Sequence, residues 1–407
     1  MKRTIILSVA VLLTTLGVCS IAEAQQRYWP RVMARDSVPQ QRVKPLQLVE
    51  VDTTQLVDFF IDRMRQRVQW MLPKGGLRSI VAKPLPRSMW HEVWQAWSYR
   101  VHDSINLVGG LGDAERDVAV FSAAQTVAQG VQAYLHSGQA EVYDAIELAL
   151  YNGVASGVYG QASDTAAVTA GYWALQAQNL LMATDGDSTL YINLYAMTDG
   201  TFDIAGRKVW LFVDTSMPWA GLCKISLQVL EGNPKMRLAL RLPLWARGMA
   251  YNKAFTIRSG QTLATVTHKD LMQMDMREDG YIVIDRDWRE DTQIVIDLAM
   301  PVQYWSVTSP QGASFVPQVL RRGPLTYAFW RPQGKYYFSD RTPIRWQFDL
   351  DHYDAFALIT TLHSTPPDPK LREQGDTACY LIPYHAILKD HTLPLQLWTH
   401  EGSRPAQ

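Results

Sequence analysis

The chain has 407 residues, enough for two or three domains with separate cores. Lysine plus arginine and aspartate plus glutamate balance at 39 each, so net charge argues neither for nucleic acid nor for an anionic membrane surface. The 47% hydrophobic content, with 14 Trp and 18 Tyr, excludes an intrinsically disordered chain. Residues 1–24 read as a secretory signal peptide. Lys2 and Arg3 supply the charge, Thr4 to Val18 is almost wholly apolar or hydroxylic, and Ala22-Glu23-Ala24 is a small-x-small cleavage site. The apolar run is short for an uncleaved anchor. Val18 is a poor residue before Cys19 for lipid attachment, which leaves that alternative open but weak. The mature chain, starting near Gln25, is expected to be secreted or periplasmic. No later segment is long and apolar enough to span a bilayer.

Residues 25–50 are polar and carry Pro, Arg and Gln, so they read as a tail. Asp52 and Gln55 form a plausible capping pair. Leu56, Phe59, Phe60, Met64, Val68 and Met71 then recur at helical spacing, stopped by Pro73-Lys74-Gly75-Gly76. Further helices are expected over Ser88–His102, Asp113–His136, Glu141–Ala155 and Thr165–Ala183. After Asp185-Gly186-Asp187 the period switches to two. Strands are expected at Leu190–Tyr195, Lys208–Asp214, Lys224–Leu230, Met236–Leu242, Tyr281–Asp285 and Gln293–Leu298, with late strands at Tyr380–Tyr384 and Leu395–Trp398. In Met236–Leu242 large apolar residues alternate with Arg and Ala, which reads as a half-buried antiparallel strand with one wet face. Regularly spaced short strands indicate a β-sandwich. The fold class is therefore α+β and multidomain: a helical domain at 51–185, a β-sandwich domain at 186–330 and a C-terminal β-rich segment at 331–407.

Removing the signal peptide leaves Cys223 and Cys379. Both lie in apolar strand-like runs and read as buried small hydrophobes, although an exported protein permits a disulfide between them. There is no CxxC and no Cys/His cluster at metal spacing.

Seven segments fall in one order: YDAIELALYNGVASG (Tyr143 to Gly157), STLYINLY (Ser188 to Tyr195), TSMPWAGLCKISL (Thr215 to Leu227), LALRLPLWARG (Leu238 to Gly248), GYIVIDRDWREDTQIVIDLAMP (Gly280 to Pro301), VLRRGPLTYAF (Val319 to Phe329) and YLIPYHA (Tyr380 to Ala386). Together they resemble the β-L-arabinofuranosidase family, glycoside hydrolase family 127, once catalogued as a domain of unknown function. The resemblance covers roughly residues 120 to 330 and a short C-terminal piece. Leu244 stands where the family has a Gly before the Trp, and Glu290-Asp291 where it has Gly-Asp. The resemblance implies an (α/α)6 toroid holding the active site, followed by β-sandwich modules. It also implies a zinc held by a glutamate and three cysteines, one of them the nucleophile, with a separate acid/base glutamate. Zinc suits thiolate, keeps the sulfur deprotonated, and leaves a covalent intermediate for water to open.

The residues that carry this chemistry are missing. Counting back from Ala149-Leu150-Tyr151-Asn152-Gly153 places the family's Glu-x-Cys at Ala119-Val120-Phe121. Counting back from Leu190 places its Cys-Cys pair at about Ala166-Ala167. No cysteine lies between Ser20 and Leu222, and no residue aligns with the acid/base glutamate. The helical part is also short: twelve helices of ~11 residues with ~5-residue connections need on the order of 190 residues. The stretch from Asp52 to Ala183 holds far fewer, so it reads as a remnant of the toroid lying as a layer on the sandwich.

Other candidate chemistry is weak. Asp144 and Glu147 share a helix face at i, i+3 and could form a carboxylate pair, but they read better as a polar face or as a tie between helix and β-domain. Asp164 reads as a helix N-cap. In His91-Glu92-Val93-Trp94-Gln95, Gln95 stands where a zinc-protease motif needs its second His. Gly109-Gly110-Leu111-Gly112 reads as a turn. Trp90, Trp94 and Trp97 are helically spaced; such residues are commonly core, yet they are also the candidate sugar-stacking residues. One stripe (Val118, Phe121, Ala124, Ala128, Val131, Leu135) and another (Val168, Tyr172, Leu175, Leu180) are expected to pack together and on the strand at Leu190–Tyr195. That would leave an open face lined by the three tryptophans.

The sequence thus describes an exported, carbohydrate-related pseudoenzyme with no catalytic residue, no metal ligand and no cofactor. Its expected partners are a glycan, L-arabinose-containing or similar, and a protein covering the shortened helical layer, with no nucleic acid. A hydrolase using unassigned carboxylates and a purely structural, partner-binding remnant are the alternatives.

Overall fold

The computed structural model describes residues 25–28, 38–52, 54–56, 58–71, 81–101, 105, 108–110, 116–159, 164–246, 255–259, 262–266, 280–298, 300–306, 317–329, 337–338, 344–349, 355–362, 377–387 and 399–401. The signal peptide, part of the tail and the strand expected at Leu395–Trp398 lie outside the described residues. The chain forms two compact units. The larger comprises residues 30–300 and 323–325; the smaller comprises 1–29, 301–322 and 326–407.

In chain order the elements begin with β1 (Gln25–Tyr28), β2 (Gln47–Leu48) and α1 (Phe59–Met71). Helices α2 (Trp90–Tyr99), α3 (Arg116–Ser137) and α4 (Ala140–Leu148) follow. The last passes through a π-helical turn, Ala149–Val154, into α5 (Ala155–Tyr159), and α6 spans Asp164–Gln176. Asp52 and Gln55 do bond as a pair, Asp52 N donating to Gln55 Oε1 at 2.8 Å, but they close a turn ahead of the helix. The residue that starts α1 is Asp58. Its Oδ1 accepts from Ile61 N at 2.9 Å, and its Oδ2 accepts from Met197 N at 3.2 Å. One carboxylate thus caps a helix and ties it to the start of a strand.

Burial pushes the Asp58 pKa up to about 6. Between its ordinary value of 3.8 and about 6 the folded chain binds this proton more tightly than the unfolded chain, so the group adds stability as pH falls through that window. Asp58→Ala is expected to cost about 0.5–2 kcal/mol. Urea unfolding should show a larger cost at pH 4.5 than at pH 7.

The fifth expected helix ends early. After a 3-10 turn at Ala177–Leu180 the chain forms β3 (Met182–Thr184), which pairs antiparallel with β4 (Thr189–Ile192). Asp185 Oδ1 accepts from the backbone N–H groups of Asp187, Ser188 and Thr189, each at 2.9 Å, and so closes the hairpin. Strands β5 (Thr198–Ile204), β6 (Arg207–Thr215), β7 (Leu222–Glu231), β8 (Lys235–Arg241), β9 (Phe255–Ser259), β10 (Thr262–Val266), β11 (Tyr281–Asp287) and β12 (Thr292–Asp297) complete the larger unit's sheets. One sheet runs β11-β8-β4-β3-β2, the other β10-β9-β12-β7-β6-β5. Pairing is antiparallel except that β4 lies parallel to β8, because the chain crosses into the other sheet for β5 to β7 before returning.

In the smaller unit the sheet order is β1-β13-β14-β15-β19-β18-β17, with β13 (Val302–Ser306), β14 (Pro317–Arg322), β15 (Leu325–Phe329), β17 (Ile344–Asp349), β18 (Ala355–Leu362) and β19 (Thr377–Pro383), while β16 (Tyr337–Phe338) pairs with β20 (Thr399–Glu401) off this path. The architecture is helices plus several largely antiparallel sheets, an α+β fold.

The expected helix stripes are buried in part. On α3 Ala124, Val131 and Leu135 are buried as expected, with Val120, Ala123, Val127 and Tyr134 buried beside them, whereas Phe121 is exposed. Ala128 is only half-buried. On α6 Leu175 is buried and Val168 exposed. Helix α3 reaches the β4 region through Tyr134, whose hydroxyl donates to Asn193 Oδ1 at 3.1 Å.

Candidate functional site

Two of the family-like segments meet in the core of the larger unit. Arg241 closes β8, and its neighbours Leu238 and Leu240 are fully buried. The strand was expected to carry Arg241 on a wet face. Its side chain is instead 1% exposed, because helix α4 brings two carboxylates to it. Arg241 Nη1 donates to Asp144 Oδ1 at 2.7 Å and Nη2 donates to Glu147 Oε1. Arg241 Nε donates to the Asn193 carbonyl at 2.5 Å. The remaining lone pairs are used as well: Asp144 Oδ1 accepts from Leu244 N at 3.0 Å, and Glu147 Oε2 accepts from Trp245 Nε1 at 2.9 Å. Tyr195 donates to the Arg241 carbonyl at 2.6 Å. Burial pushes the Glu147 pKa up, and the Arg241 charge pulls part of that back. Burial works against the Arg241 charge, but the facing carboxylates outweigh it and hold its pKa above the ordinary value.

This arrangement decides between the two readings of Asp144 and Glu147. Both are spent on one guanidinium and two N–H groups, so they tie the helix to the strand, as the structural reading expected. A general acid needs an open approach to substrate; these carboxyls are each 5% exposed.

The positions where the resemblance would place the zinc and its thiolates lie on α3 and α6. Val120 is fully buried and Ala166 nearly so. Gly157 of α5 permits this close approach: a Cβ there would run into Val120 Cγ1 and lie 2.9 Å from Ala170 Cβ. Ala119, Val120, Phe121, Ala166 and Ala167 offer no sulfur, nitrogen or carboxylate side-chain donor, so the donor set does not fit zinc. Among the described residues no group of three or more His, Cys, Asp and Glu side chains converges as a metal site.

Trp90, Trp94 and Trp97 are 7%, 2% and 3% exposed. The open aromatic face expected from their spacing is therefore not present. Trp90 packs on Trp94, ring centroids 5.3 Å apart, and on His136 at 5.7 Å. Trp97 lies over Gly130 of α3, where a Cβ would come 3.0 Å from Cζ3. Helical spacing is the same for a core stripe and a stacking platform, and here α3 covers the stripe.

The lesser motifs settle plainly. His91, Glu92 and Gln95 are exposed on the outer side of α2. Gly109 has φ +86° and lies in a turn, while Leu111 and Gly112 fall outside the described residues. Helix α6 begins at Asp164, within one residue of its expected cap. Cys223 is a free, buried thiol in β7, and burial pushes its pKa up. No helix among the described residues is long and apolar enough to cross a membrane.

Comparison with known proteins agrees with the motif order. Residues 189–300 match the family described as β-L-arabinofuranosidase, GH127 middle domain. No protein of curated function matches the sequence. Among solved structures, a GH127 β-arabinofuranosidase superposes with a TM-score of 0.60 at 19% identity, over 77% of this chain and 57% of its own. A GH127 β-L-arabinofuranosidase from Geobacillus stearothermophilus T6 gives 0.61 at 16% identity, over 84% and 59%. A third, a glycoside hydrolase, gives 0.61 at 15% identity, over 98% and 72%. The chain thus spans somewhat under three-fifths of the length of the first two. At these identities the superpositions establish the fold, and the matched segment contains β8 with Arg241 and Trp245, the residues that α4 grips. Over residues 189–300 the chain is similar to the GH127 middle domain, and over most of its described length it shares the fold of two GH127 β-arabinofuranosidases.

Proposed function

We propose that the chain is an exported, non-catalytic relative of the GH127 β-L-arabinofuranosidases that binds a glycan without hydrolysing it. The observation that carries this reading is the replacement of the aligned zinc and nucleophile positions by Ala119-Val120-Phe121 and Ala166-Ala167, with Val120 packed against Gly157. A thiolate nucleophile cannot be supplied from a region that holds no cysteine. Carboxylate chemistry at Asp144 and Glu147 is opposed by their use in holding Arg241. We read the helical layer as a shortened remnant of the family's toroid, and the paired sheets as its β-sandwich part.

A glycan-array screen run beside an arabinofuranoside hydrolysis assay tests the reading. Binding without turnover is expected; turnover, or a blank array, would overturn it. Elemental analysis of the purified chain is expected to find well under one tightly held zinc per chain, since structural and catalytic zinc both need three or four ligands. About one zinc that survives dialysis would contradict that expectation.

A further inference from the structure

Two sheet edges in the larger unit border one cleft. Strand β2 ends the five-stranded sheet and β5 ends the six-stranded one. Residues from both, with the β3–β4 turn, line a cleft of about 420 Å³. That is within the ~300–1,000 Å³ of small-molecule sites. Buried Leu48 and Val49 contribute an apolar part of the wall, and Lys44, Gln47, Glu50, Thr184 and Asp203 supply the polar part.

Hydrogen bonds hold parts of both rims. Lys44 Nζ donates to the Gly186 carbonyl at 3.3 Å, and Gly186 N donates to Thr184 Oγ1 at 3.1 Å. On the opposite rim Gly206 N donates to Asp203 Oδ1 at 3.0 Å. Ala205, which also lines the cleft, has φ +52° and with Gly206 at φ +74° forms the two-residue turn that joins β5 to β6, the hairpin geometry in which both central residues are left-handed.

The chemistry of the lining selects among ligands. The lining carries two carboxylates, Glu50 and Asp203, and one ammonium, Lys44, so an anionic ligand is disfavoured. An added peptide strand has little edge to use. Strand β2 is two residues long. The outer side of β5 is already occupied: Asp199 N donates to the Gln55 carbonyl at 2.8 Å, and Gln55 Nε2 donates to the Thr201 carbonyl at 3.0 Å. What remains is a small ligand that both donates and accepts hydrogen bonds at several points. A neutral polyhydroxylated ring does this, its hydroxyls giving protons to the carboxylates and taking them from the lysine, the glutamine amide and the threonine.

We propose that the cleft between β2 and β5 holds a neutral sugar residue. The proposal rests on the glycan-binding reading above and gives that reading a location.

The test is calorimetry and saturation-transfer NMR on the chain with neutral methyl glycosides, methyl β-L-arabinofuranoside among them. Wild type is compared with Gln47→Ala/Glu50→Ala. Both side chains are exposed, so an unchanged Tm is expected and is measured alongside. The expected result is binding by wild type and at least a tenfold loss of affinity in the variant. Equal affinity in the two proteins would overturn the cleft while leaving the glycan-binding reading standing. Absence of binding by wild type to any glycoside would overturn both. Binding of calcium alone, lost in the variant and without sugar binding, would assign the cleft to a cation and overturn the proposal.

Discussion

Arg241→Met is expected to destabilise the chain by about 3–5 kcal/mol at neutral pH, the cost of stranding buried carboxylates by removing their partner. The variant leaves Asp144 and Glu147 in the core without the guanidinium, with Leu244 N and Trp245 Nε1 still donating to them. Without the guanidinium, burial raises the Glu147 pKa further, so the folded variant takes up a proton there more readily than its unfolded chain. Its stability therefore rises relative to wild type as pH falls from 7 towards 5. Urea unfolding at the two pH values measures both effects. A loss under about 1 kcal/mol, or a loss that does not shrink at pH 5, would show that the cluster is not the tie described here.

Trp94→Ala is expected to cost about 3–5 kcal/mol, as emptying a buried aromatic site does. The side chain is 2% exposed and its ring neighbours that of Trp90. A stacking residue on an open face would behave otherwise, losing ligand affinity at little cost in stability. Thermal unfolding combined with a denaturant series separates the two. A stability change under about 1 kcal/mol would return Trp94 to the surface role its spacing also allows.

Much of the fold is legible because its signals are local. Helix α3 follows the apolar periodicity between Asp113 and His136, and strands β6, β7, β8, β11 and β12 fall within a few residues of the alternating runs. The failures share one cause, which is that their deciding partners are distant in sequence. Arg241 looks solvent-facing in LALRL until Asp144 and Glu147, 97 and 94 residues earlier, are placed beside it. The tryptophan stripe of α2 looks open until α3 is laid over Trp97. In the sequence Asp52 and Gln55 offer a nearer capping pair than Asp58. A second signal was available there: Asp58 also precedes an apolar pair and stands three residues before Ile61, whose N–H it takes. The end of the fifth helix was misplaced because Ala177–Ala183 is apolar enough for either period. The Asp185 hairpin decides it.

The cluster also accounts for why the family is legible while its chemistry is not. YDAIELALYNG and LALRLPLWARG are two of the seven segments that carry the resemblance, and hydrogen bonds join Asp144 and Glu147 of the first to Arg241, Leu244 and Trp245 of the second. These residues hold a scaffold together. The resemblance would place its thiolates on α3 and α6, at Ala119-Val120-Phe121 and Ala166-Ala167, whose side chains carry no donor atoms.

The most direct measurement is the rate at which the purified chain, supplied with zinc and a reductant, releases nitrophenol from 4-nitrophenyl β-L-arabinofuranoside. The account predicts release at the rate of buffer alone. Turnover above that rate which a zinc chelator abolishes would contradict it.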